Sequence, residues 1–315
     1  MILFLMVYVM SFHLVINSDD WFVVWMGLEM NMMVFIMLMY KRYSMYNIES
    51  CLKYFFIQSL GSIVLMSVFY YSSEFMDLVL CLILSYKIGA GPFYYWFPSL
   101  CGSISWMSCF VLMSFQSIIP LMLVSMFISW IIFVVVMINL VMGVFGSFNQ
   151  KDLKQLISYS SIYHLGWIFL CVMTDNLLWI NYLLIYMVLI FPVIYFMKYK
   201  DMINLEDIVI LKKKGWVVVL MLSMAGMPPF LGFFLKWYFF MSVMKIGIFF
   251  MMMLIVSSVV MFYIYFRMLY DVLLGYLSIG CWESELFNKS KDFWLDFMSS
   301  VGFLLGFMMS LFLMF

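Results

Sequence analysis

Residues 21–40 read WFVVWMGLEMNMMVFIMLMY, a run of amino acids with a single charged side chain, Glu29. An α-helix needs about 20 consecutive apolar residues to cross the hydrocarbon core of a bilayer. A strand of a membrane barrel would be about half as long and would alternate polar with apolar residues. The run is continuous and does not alternate, so it predicts a membrane-spanning helix.

The whole chain has the same character. Of its 315 residues, 68% are hydrophobic and only 10% are charged, whereas a soluble domain is about 45–50% apolar and about 25% charged. A chain of this size cannot hide so much apolar surface in water, because it must still cover itself with a polar surface. Lipid is therefore its solvent, and a net charge of zero argues against a nucleic-acid partner.

The residue bias points to the kind of gene. There are 36 Met and 35 Phe, but only two Ala and one Thr. The scarce types need C-containing or GC-rich codons and the abundant ones do not. We interpret this as the product of a strand-skewed, AT-rich mitochondrial genome. The six cysteines form no CxxC pair and lack zinc or iron–sulfur spacing, so we expect neither a metal nor a cofactor in this chain.

Polar residues separate the other apolar runs, and we predict an all-α, polytopic protein with eleven spans in one domain, residues 1–315. The first run lacks the basic leader and cleavage site of a signal peptide. The predicted spans are 1–17, 21–40, 51–71, 75–98, 103–123, 128–147, 154–173, 176–197, 215–243, 247–270 and 293–315.

Basic residues in the loops test this count. With the N-terminus on side one, thirteen Lys and Arg fall in loops of that side and only Lys245 falls opposite. Loops on the cytoplasmic or matrix side carry such an excess, so we predict the N-terminus on that side. The thirteen are Lys41, Arg42, Lys53, Lys151, Lys154, Lys198, Lys200, Lys212, Lys213, Lys214, Arg267, Lys289 and Lys291.

Two loop segments are long. Residues 198–214 are basic with interspersed apolar residues, which predicts a short amphipathic helix along the membrane interface. Residues 275–292 carry Trp282, Glu283 and Glu285. This second segment is either a solvated connection or a contact with a partner subunit.

Three charged side chains lie deep inside predicted spans, away from the span ends: Glu29, Lys87 and Lys236. An ionisable group in hydrocarbon costs a few kcal/mol or more, and such groups usually face a protein interior or a water-filled path. Glu29 lies too deep in its span to reach the interface, so we expect a lysine of another helix as its partner. We interpret all three residues as functional.

Each of the two lysines lies beside a helix-breaking segment. GAGP follows Lys87 at 89–92, and AGMPPFLG precedes Lys236 at 225–232. Glycine and proline weaken or end helices, so we predict two broken helices. A pair of interrupted helices at corresponding places, running in opposite directions, is typical of transporters built from inverted repeats.

His164 lies in SYSSIYHLGWIFL, in the seventh predicted span. It is either a packed, hydrogen-bonded side chain or a proton relay, since histidine titrates near neutral pH. No metal, nucleotide or nucleophile motif accompanies these residues. The remaining carboxylate, lysines and histidine predict a chain that moves protons without an energy source of its own.

Four segments carry a resemblance to a known family. They are WMGLEMN around Glu29, YKIGAGPFYYWFP through Lys87, FNQKDLKQLISYSSIYHLGW through His164 and AGMPPFLGFFLKW through Lys236. In this order they resemble subunit 2 of mitochondrial NADH:ubiquinone oxidoreductase, respiratory complex I, in its invertebrate form. The resemblance extends over residues 20–270.

The resemblance implies an antiporter-like, proton-translocating core subunit of the membrane arm, without the first three helices of the bacterial form. NADH oxidation, FMN, iron–sulfur clusters and ubiquinone would belong to other parts of the complex. The implied partners are adjacent antiporter-like and small membrane subunits, accessory subunits, and lipids such as cardiolipin. The implied location is the mitochondrial inner membrane, with the N-terminus in the matrix and the C-terminus in the intermembrane space. Glu29, Lys87 and Lys236 match the family's functional glutamate and two of its lysines.

One residue departs from the family pattern. Where the family has a lysine in a segment like WQKLAP, this chain has FQSIIP at 115–120, with Ser117 in the lysine's place. A serine can hydrogen-bond to water but cannot carry a proton as a charge. A complete proton path would therefore need His164 or a neighbouring residue to compensate.

Two other functions compete with this interpretation. One is a subunit of the related multi-subunit sodium/proton exchangers, a secondary transporter without redox coupling. The other is a structural subunit that fills the membrane arm without conducting protons. The segment LEMN argues against the exchanger, whereas Ser117 gives the structural role some weight.

Overall fold

The computed structural model describes residues 2–42, 44–70, 76–174, 177–200, 202–210, 214–244 and 246–278. These residues form α-helices and no strand, apart from one isolated bridge between Asp152 and Asn204, so the all-α prediction is confirmed. The helices are α1 (Ile2–Asn17), α2 (Trp21–Met39), α3 (Met45–Tyr70), α4 (Met76–Ile88), α5 (Trp96–Ser103), α6 (Trp106–Met113), α7 (Phe115–Met126), α8 (Ile131–Ser147), α9 (Leu153–Thr174), α10 (Leu178–Tyr199), α11 (Leu205–Ile210), α12 (Lys214–Ala225), α13 (Leu231–Val243) and α14 (Ile248–Ser278).

Six described segments are long and apolar enough to cross a membrane. They are α2, α3, α6 with α7, α9, α10 and the first part of α14. Shorter apolar helices lie at Met6–Asn17, Ile131–Ser147 and Leu231–Val243. The predicted last span, 293–315, lies outside the described residues, as does the loop from 279 to 292.

Two predicted boundaries are wrong. The third span was expected from residue 51, but α3 begins at Met45. Its first turns are polar, and Lys53 Nζ lies 2.6 Å from Glu49 Oε1, with both side chains more than half exposed. An ion pair at this i, i+4 spacing supports a helix in water, so α3 extends beyond the apolar stretch on which the prediction rested. In the same way α14 continues to Ser278, so the loop predicted from 275 starts inside a helix.

The segment predicted at 103–123 has an unforeseen interruption at Ser114, where α6 ends and α7 begins. Ser114 Oγ donates to the Phe110 carbonyl over 2.5 Å. A serine bonded to the preceding turn competes with the backbone ladder and often bends a helix. Pro120 then removes one more backbone donor inside α7. Ser117 therefore lies between a bend and a proline.

Helix α9 lies at the centre of the described bundle. In its most apolar stretch 89% of the residues are buried, compared with 22% in α14. Glycines allow neighbouring helices to reach it. A side chain at Gly143 of α8 would come within 2.7 Å of the Tyr163 backbone nitrogen, and one at Gly166 of α9 within 3.0 Å of Leu140. Because α9 carries His164, the histidine is enclosed by other helices.

The predicted amphipathic segment at 198–214 contains one short helix, α11. Two backbone bonds join its start to the start of α9: Leu153 N–H donates to Ile203 O over 2.9 Å, and Leu205 N–H to Lys151 O over 3.1 Å. The Asp207 carboxylate accepts the N–H groups of Ile203 and Asn204, each over 2.9 Å. These two bonds lower the pKa of Asp207, so they stabilise this turn above the usual titration range of aspartate and are lost as the pH falls through the lowered pKa.

Candidate functional site

Glu29 and Lys87 lie on different helices whose charges interact. Glu29 occupies the middle of α2 and is half-buried, while Lys87 lies in the last turn of α4 and is 7% exposed. The Glu29 carboxylate acts electrostatically on the Lys87 ammonium. Among the described residues the two form no ion pair within 4.0 Å. The Glu29 carboxylate and the Lys87 ammonium are thus close enough to interact electrostatically, but they do not form a direct ion pair.

The chain leaves the helical conformation directly after Lys87. Helix α4 ends at Ile88, and α5 begins only at Trp96. Gly89 has φ +80°, a left-handed conformation that favours glycine. A side chain at Gly89 would also come within 2.9 Å of Phe97. The Gly-rich sequence thus allows a tight non-helical turn inside the bundle, beside a buried ammonium.

A small polar cavity of about 20 Å³ lies next to Lys87. This volume is about that needed for one water molecule, which also requires two to four polar partners. Ser117 of α7 lines the same cavity, with its Oγ donating to the Ser114 carbonyl over 2.8 Å. The other polar lining residues are Asn31, Tyr54, Gln58, Trp96 and Gln116.

A pair of amides joins this cavity to the helix of Glu29. Asn31 of α2 and Gln116 of α7 exchange two hydrogen bonds, of 3.1 and 3.3 Å, and Tyr54 OH donates to the Gln116 carbonyl oxygen over 3.4 Å. The structure therefore brings Lys87 and Ser117 to one polar pocket, and it connects that pocket to the turn that follows Glu29.

Lys236 lies in α13, after the second interruption. Helix α12 ends at Ala225 and α13 begins at Leu231, with Gly226 at φ +85° between them. The Lys236 ammonium donates to the Ala225 carbonyl over 2.9 Å and lies 5.7 Å from the centre of the Tyr163 ring. It also lines a cleft of about 290 Å³ whose walls are mostly apolar and which includes Trp167 and Phe233. At this second interruption the lysine itself donates a hydrogen bond to a backbone carbonyl that the interruption leaves without a helical partner.

His164 lies on α9 and is 3% exposed. Its Nδ1 is 2.8 Å from Tyr182 OH of α10, and the charge of Lys236 acts on it electrostatically. Tyrosine surrounds the imidazole: the ring centres of Tyr163, Tyr182 and Tyr186 lie 5.4, 6.1 and 4.8 Å away. The structure thus joins His164 to Lys236, and this second cluster is separate in its contacts from the cluster of Lys87 and Ser117.

Sequence reasoning missed the side chains that pair across helices. Tyr182, the hydrogen-bonding partner of His164, looks like any other aromatic residue in its span. Gln58 of α3 and Asn139 of α8 are amides in the middle of apolar helices, and that position was a usable signal. No group of three His, Cys, Asp or Glu residues that could hold a metal ion occurs in the described part of the chain.

Comparison with known proteins identifies the family of this chain. The model for the transmembrane domain of NADH:quinone oxidoreductase and Mrp antiporter proteins matches residues 69–262. NADH-ubiquinone oxidoreductase chain 2 of Locusta migratoria is 32% identical, over 90% of this chain and 89% of its own. The chain belongs to this family. The same protein of Anopheles gambiae is 30% identical over 94% of this chain and 93% of its own, so the invertebrate resemblance seen in the sequence is confirmed.

Solved structures show the same fold in the family's more distant members. A chain of respiratory complex I from Thermus thermophilus superimposes with a TM-score of 0.80 at 21% identity, and the match covers 97% of this chain and 77% of that one. A chain of the Mrp complex from Dietzia superimposes with a TM-score of 0.68 at 15% identity, over 90% of this chain and 61% of that one. The antiporter-like membrane fold is thus shared by both types of complex.

Proposed function

We propose that the chain is a proton-translocating core subunit of the membrane arm of mitochondrial NADH:ubiquinone oxidoreductase. The observation that carries this proposal is the repeated arrangement of a lysine beside a helix interruption: Lys87 is buried in the last turn of α4, and Lys236 is partly buried in α13, after the end of α12. The interruptions leave backbone groups that need polar partners inside a membrane. Membership of the chain 2 family supports the assignment to this complex.

The proposed proton path runs through Glu29, Lys87, His164 and Lys236. In a medium of low dielectric, an opposite charge strengthens the hold of an amine on its proton, and its departure weakens that hold. Movement of charge near Glu29 would therefore lead Lys87 to take up or release a proton. Lys236 and His164, which interact electrostatically, would respond in the second cluster. Electron transfer elsewhere in the complex supplies the energy.

Ser117 is the residue of this path least suited to carry a proton. The cavity beside it offers a way to compensate. Its Oγ keeps lone pairs free after donating to Ser114, and it shares a space of about 20 Å³ with Lys87. One water held there by Ser117 and Lys87 would provide a hydrogen-bonded connection at the position where the family pattern has a lysine.

Replacing Ser117 by valine should lower the proton-to-electron ratio of the complex in liposomes, because the new methyl groups fill the cavity and the hydroxyl is lost. Ser125→Val is the matched control, since Ser125 lies on the same helix and its Oγ makes the same type of bond, 2.6 Å to the Met122 carbonyl, away from the cavity. A ratio equally unchanged in both variants would contradict a proton path through Ser117.

The proposed topology is eleven spans in a single antiporter-like domain, with α4–α5 and α12–α13 each forming one broken span. The thirteen basic residues on one side of the membrane support an N-terminus in the matrix and a C-terminus in the intermembrane space.

The proposed setting is the mitochondrial inner membrane, in contact with adjacent antiporter-like and small membrane subunits, accessory subunits and lipids such as cardiolipin. FMN, iron–sulfur clusters and ubiquinone are assigned to other parts of the complex. A sodium/proton exchanger is the second candidate, favoured by the likeness to the Mrp chain. Purification of the assembly that contains this chain decides between them: flavin- and iron–sulfur-containing partners are expected, and their absence together with sodium-dependent proton exchange would favour the exchanger.

A further inference from the structure

We propose that Gln58 and Asn139 are positioning residues for Lys87: they hold the backbone of the first interruption and so keep the Lys87 ammonium free and directed at the polar cavity. This inference rests on the proposed role of Lys87 in proton transfer. Neither residue belongs to the charged set that the sequence singles out, and they come from helices α3 and α8, on different sides of the interruption.

Three side chains hold backbone groups around this interruption. Gln58 Nε2 donates to the Lys87 carbonyl over 2.9 Å, and Trp96 Nε1 donates to the Tyr86 carbonyl over 3.2 Å. Further along the interruption, Gly91 N–H donates to Asn139 Oδ1 over 2.5 Å. The last carbonyls of a helix lack the usual partner inside it, and in a membrane no water is at hand to replace one. The Tyr86 carbonyl also accepts the Gly89 N–H over 3.1 Å, whereas Gln58 and Asn139 supply partners that the Lys87 carbonyl and the Gly91 N–H would otherwise lack.

The position of Asn139 supports a specific role for its hydrogen bond to Gly91. It lies at the midpoint of α8 and is fully buried. Its Nδ2 has no hydrogen-bonding partner among the described residues, so the bond to Gly91 is the contact that justifies an amide at this depth. A side chain at Gly91 would collide with Ile138 of α8. Helix α8 and the first interruption therefore lie in direct contact.

The second interruption is held in a different way. There the Lys236 ammonium donates to the Ala225 carbonyl, so one lysine serves both as charge and as backbone partner. The Lys87 ammonium donates to no acceptor among the described residues, although the side chain is 7% exposed. It packs against Gly61 of α3, where an added side chain would come within 3.0 Å of Lys87 Cγ. Neutral amides thus form hydrogen bonds to the backbone of the first interruption. The Lys87 ammonium therefore keeps all its hydrogen-bond donors available for proton exchange.

The test uses Gln58→Met and Asn139→Leu, which conserve length or volume but remove the amide, in the complete complex reconstituted in liposomes. Loss of one hydrogen bond predicts a slowing of proton transfer by about fivefold, measured as the rate of NADH-driven proton uptake into the liposomes alongside the proton flux per electron. Ser62→Ala is the control, because Ser62 lies one turn from Gln58 and its Oγ bonds only to the Ser59 carbonyl; the flux per electron should be unchanged.

The same two variants are then combined with Lys87→Met. If they act through Lys87, they cause no further loss in that background. A full additional loss would show a general structural role and would overturn the inference. An unchanged ratio in Lys87→Met alone would instead contradict the proposed function.

A structure of the Gln58→Met complex tests the positioning separately from pumping. We expect the end of α4 to shift and the Lys87 ammonium to leave the cavity that it shares with Ser117. Lys87 found in its original place, with its carbonyl still partnered, would overturn the inference even if pumping were impaired.

Discussion

Replacing Lys236 by methionine is expected to slow proton transfer through this subunit by about a hundredfold or more, the usual loss when a positioned proton-transfer group is removed. The ammonium is the donor to the Ala225 carbonyl and lies beside the Tyr163 ring, so both the charge and the backbone contact disappear. The measurement is the rate of proton movement, together with the number of protons moved per electron, when NADH drives the reconstituted complex.

Lys236→Arg separates the two roles of this lysine. Arginine stays charged and keeps hydrogen-bond donors for a carbonyl, but it does not release a proton in proteins. If Lys236 transfers protons, the arginine variant pumps as poorly as the methionine variant. Normal pumping by Lys236→Arg would assign a structural role to the lysine. Lys53→Met is the control, because Lys53 is exposed and pairs only with Glu49 at the surface.

Replacing Gly143 by valine is expected to destabilise the subunit by about 3 kcal/mol, the upper end of the usual cost of overpacking. A Cβ at this position would meet the Tyr163 backbone at 2.7 and 2.9 Å. Backbone atoms cannot rotate away as a flexible side chain can, so α8 and α9 would have to separate. The same shift would disturb His164, one residue further along α9. The measurement is the thermal unfolding midpoint of the purified complex.

Gly215→Val provides the comparison for this prediction. Gly215 also lies in a helix, α12, and it is exposed, with no described atom within 4 Å of an added Cβ. The glycine-to-valine change is the same in both variants, and the collision with backbone atoms occurs only at Gly143. An equal loss of stability in both variants would show that the close approach at Gly143 has no energetic weight.

The sequence was informative wherever the cost of a charge in lipid decides the structure. A lysine or glutamate in an apolar segment is tolerated at few positions in a membrane protein. Glu29, Lys87 and Lys236 could therefore be identified from the sequence without knowledge of the fold. The glycine and proline runs at 89–92 and 225–232 fall where helices α4 and α12 end. These signals are local, because each can be read from one short segment.

Pairings between helices could not be predicted in this way. Nothing in the apolar run around Gln58 says that its amide will meet the Lys87 carbonyl, 29 residues away in the chain. The same holds for Tyr182 and His164. The early start of α3 was missed for another reason: polar residues that form an ion pair continue a helix into water, where hydropathy no longer marks its end.

The Ser117 cavity changes the significance of the departure from the family pattern. From the sequence alone, serine in place of lysine removes a charge from the middle of the path. In the structure the serine faces the same polar space as Lys87, bordered by Asn31 and Gln116. The loss of a charged group is thus accompanied by room for one water molecule beside Lys87 and Ser117, which is the connection that the proposed path requires.

A structure of the assembled complex that resolves ordered water will show whether a hydrogen-bonded path for protons exists in this subunit. We expect a water between Lys87 and Ser117, within hydrogen-bond distance of both, and further waters that connect the surroundings of Glu29, His164 and Lys236. A dry Lys87–Ser117 cavity, with apolar side chains closed across it and no water near His164, would contradict proton translocation through this subunit.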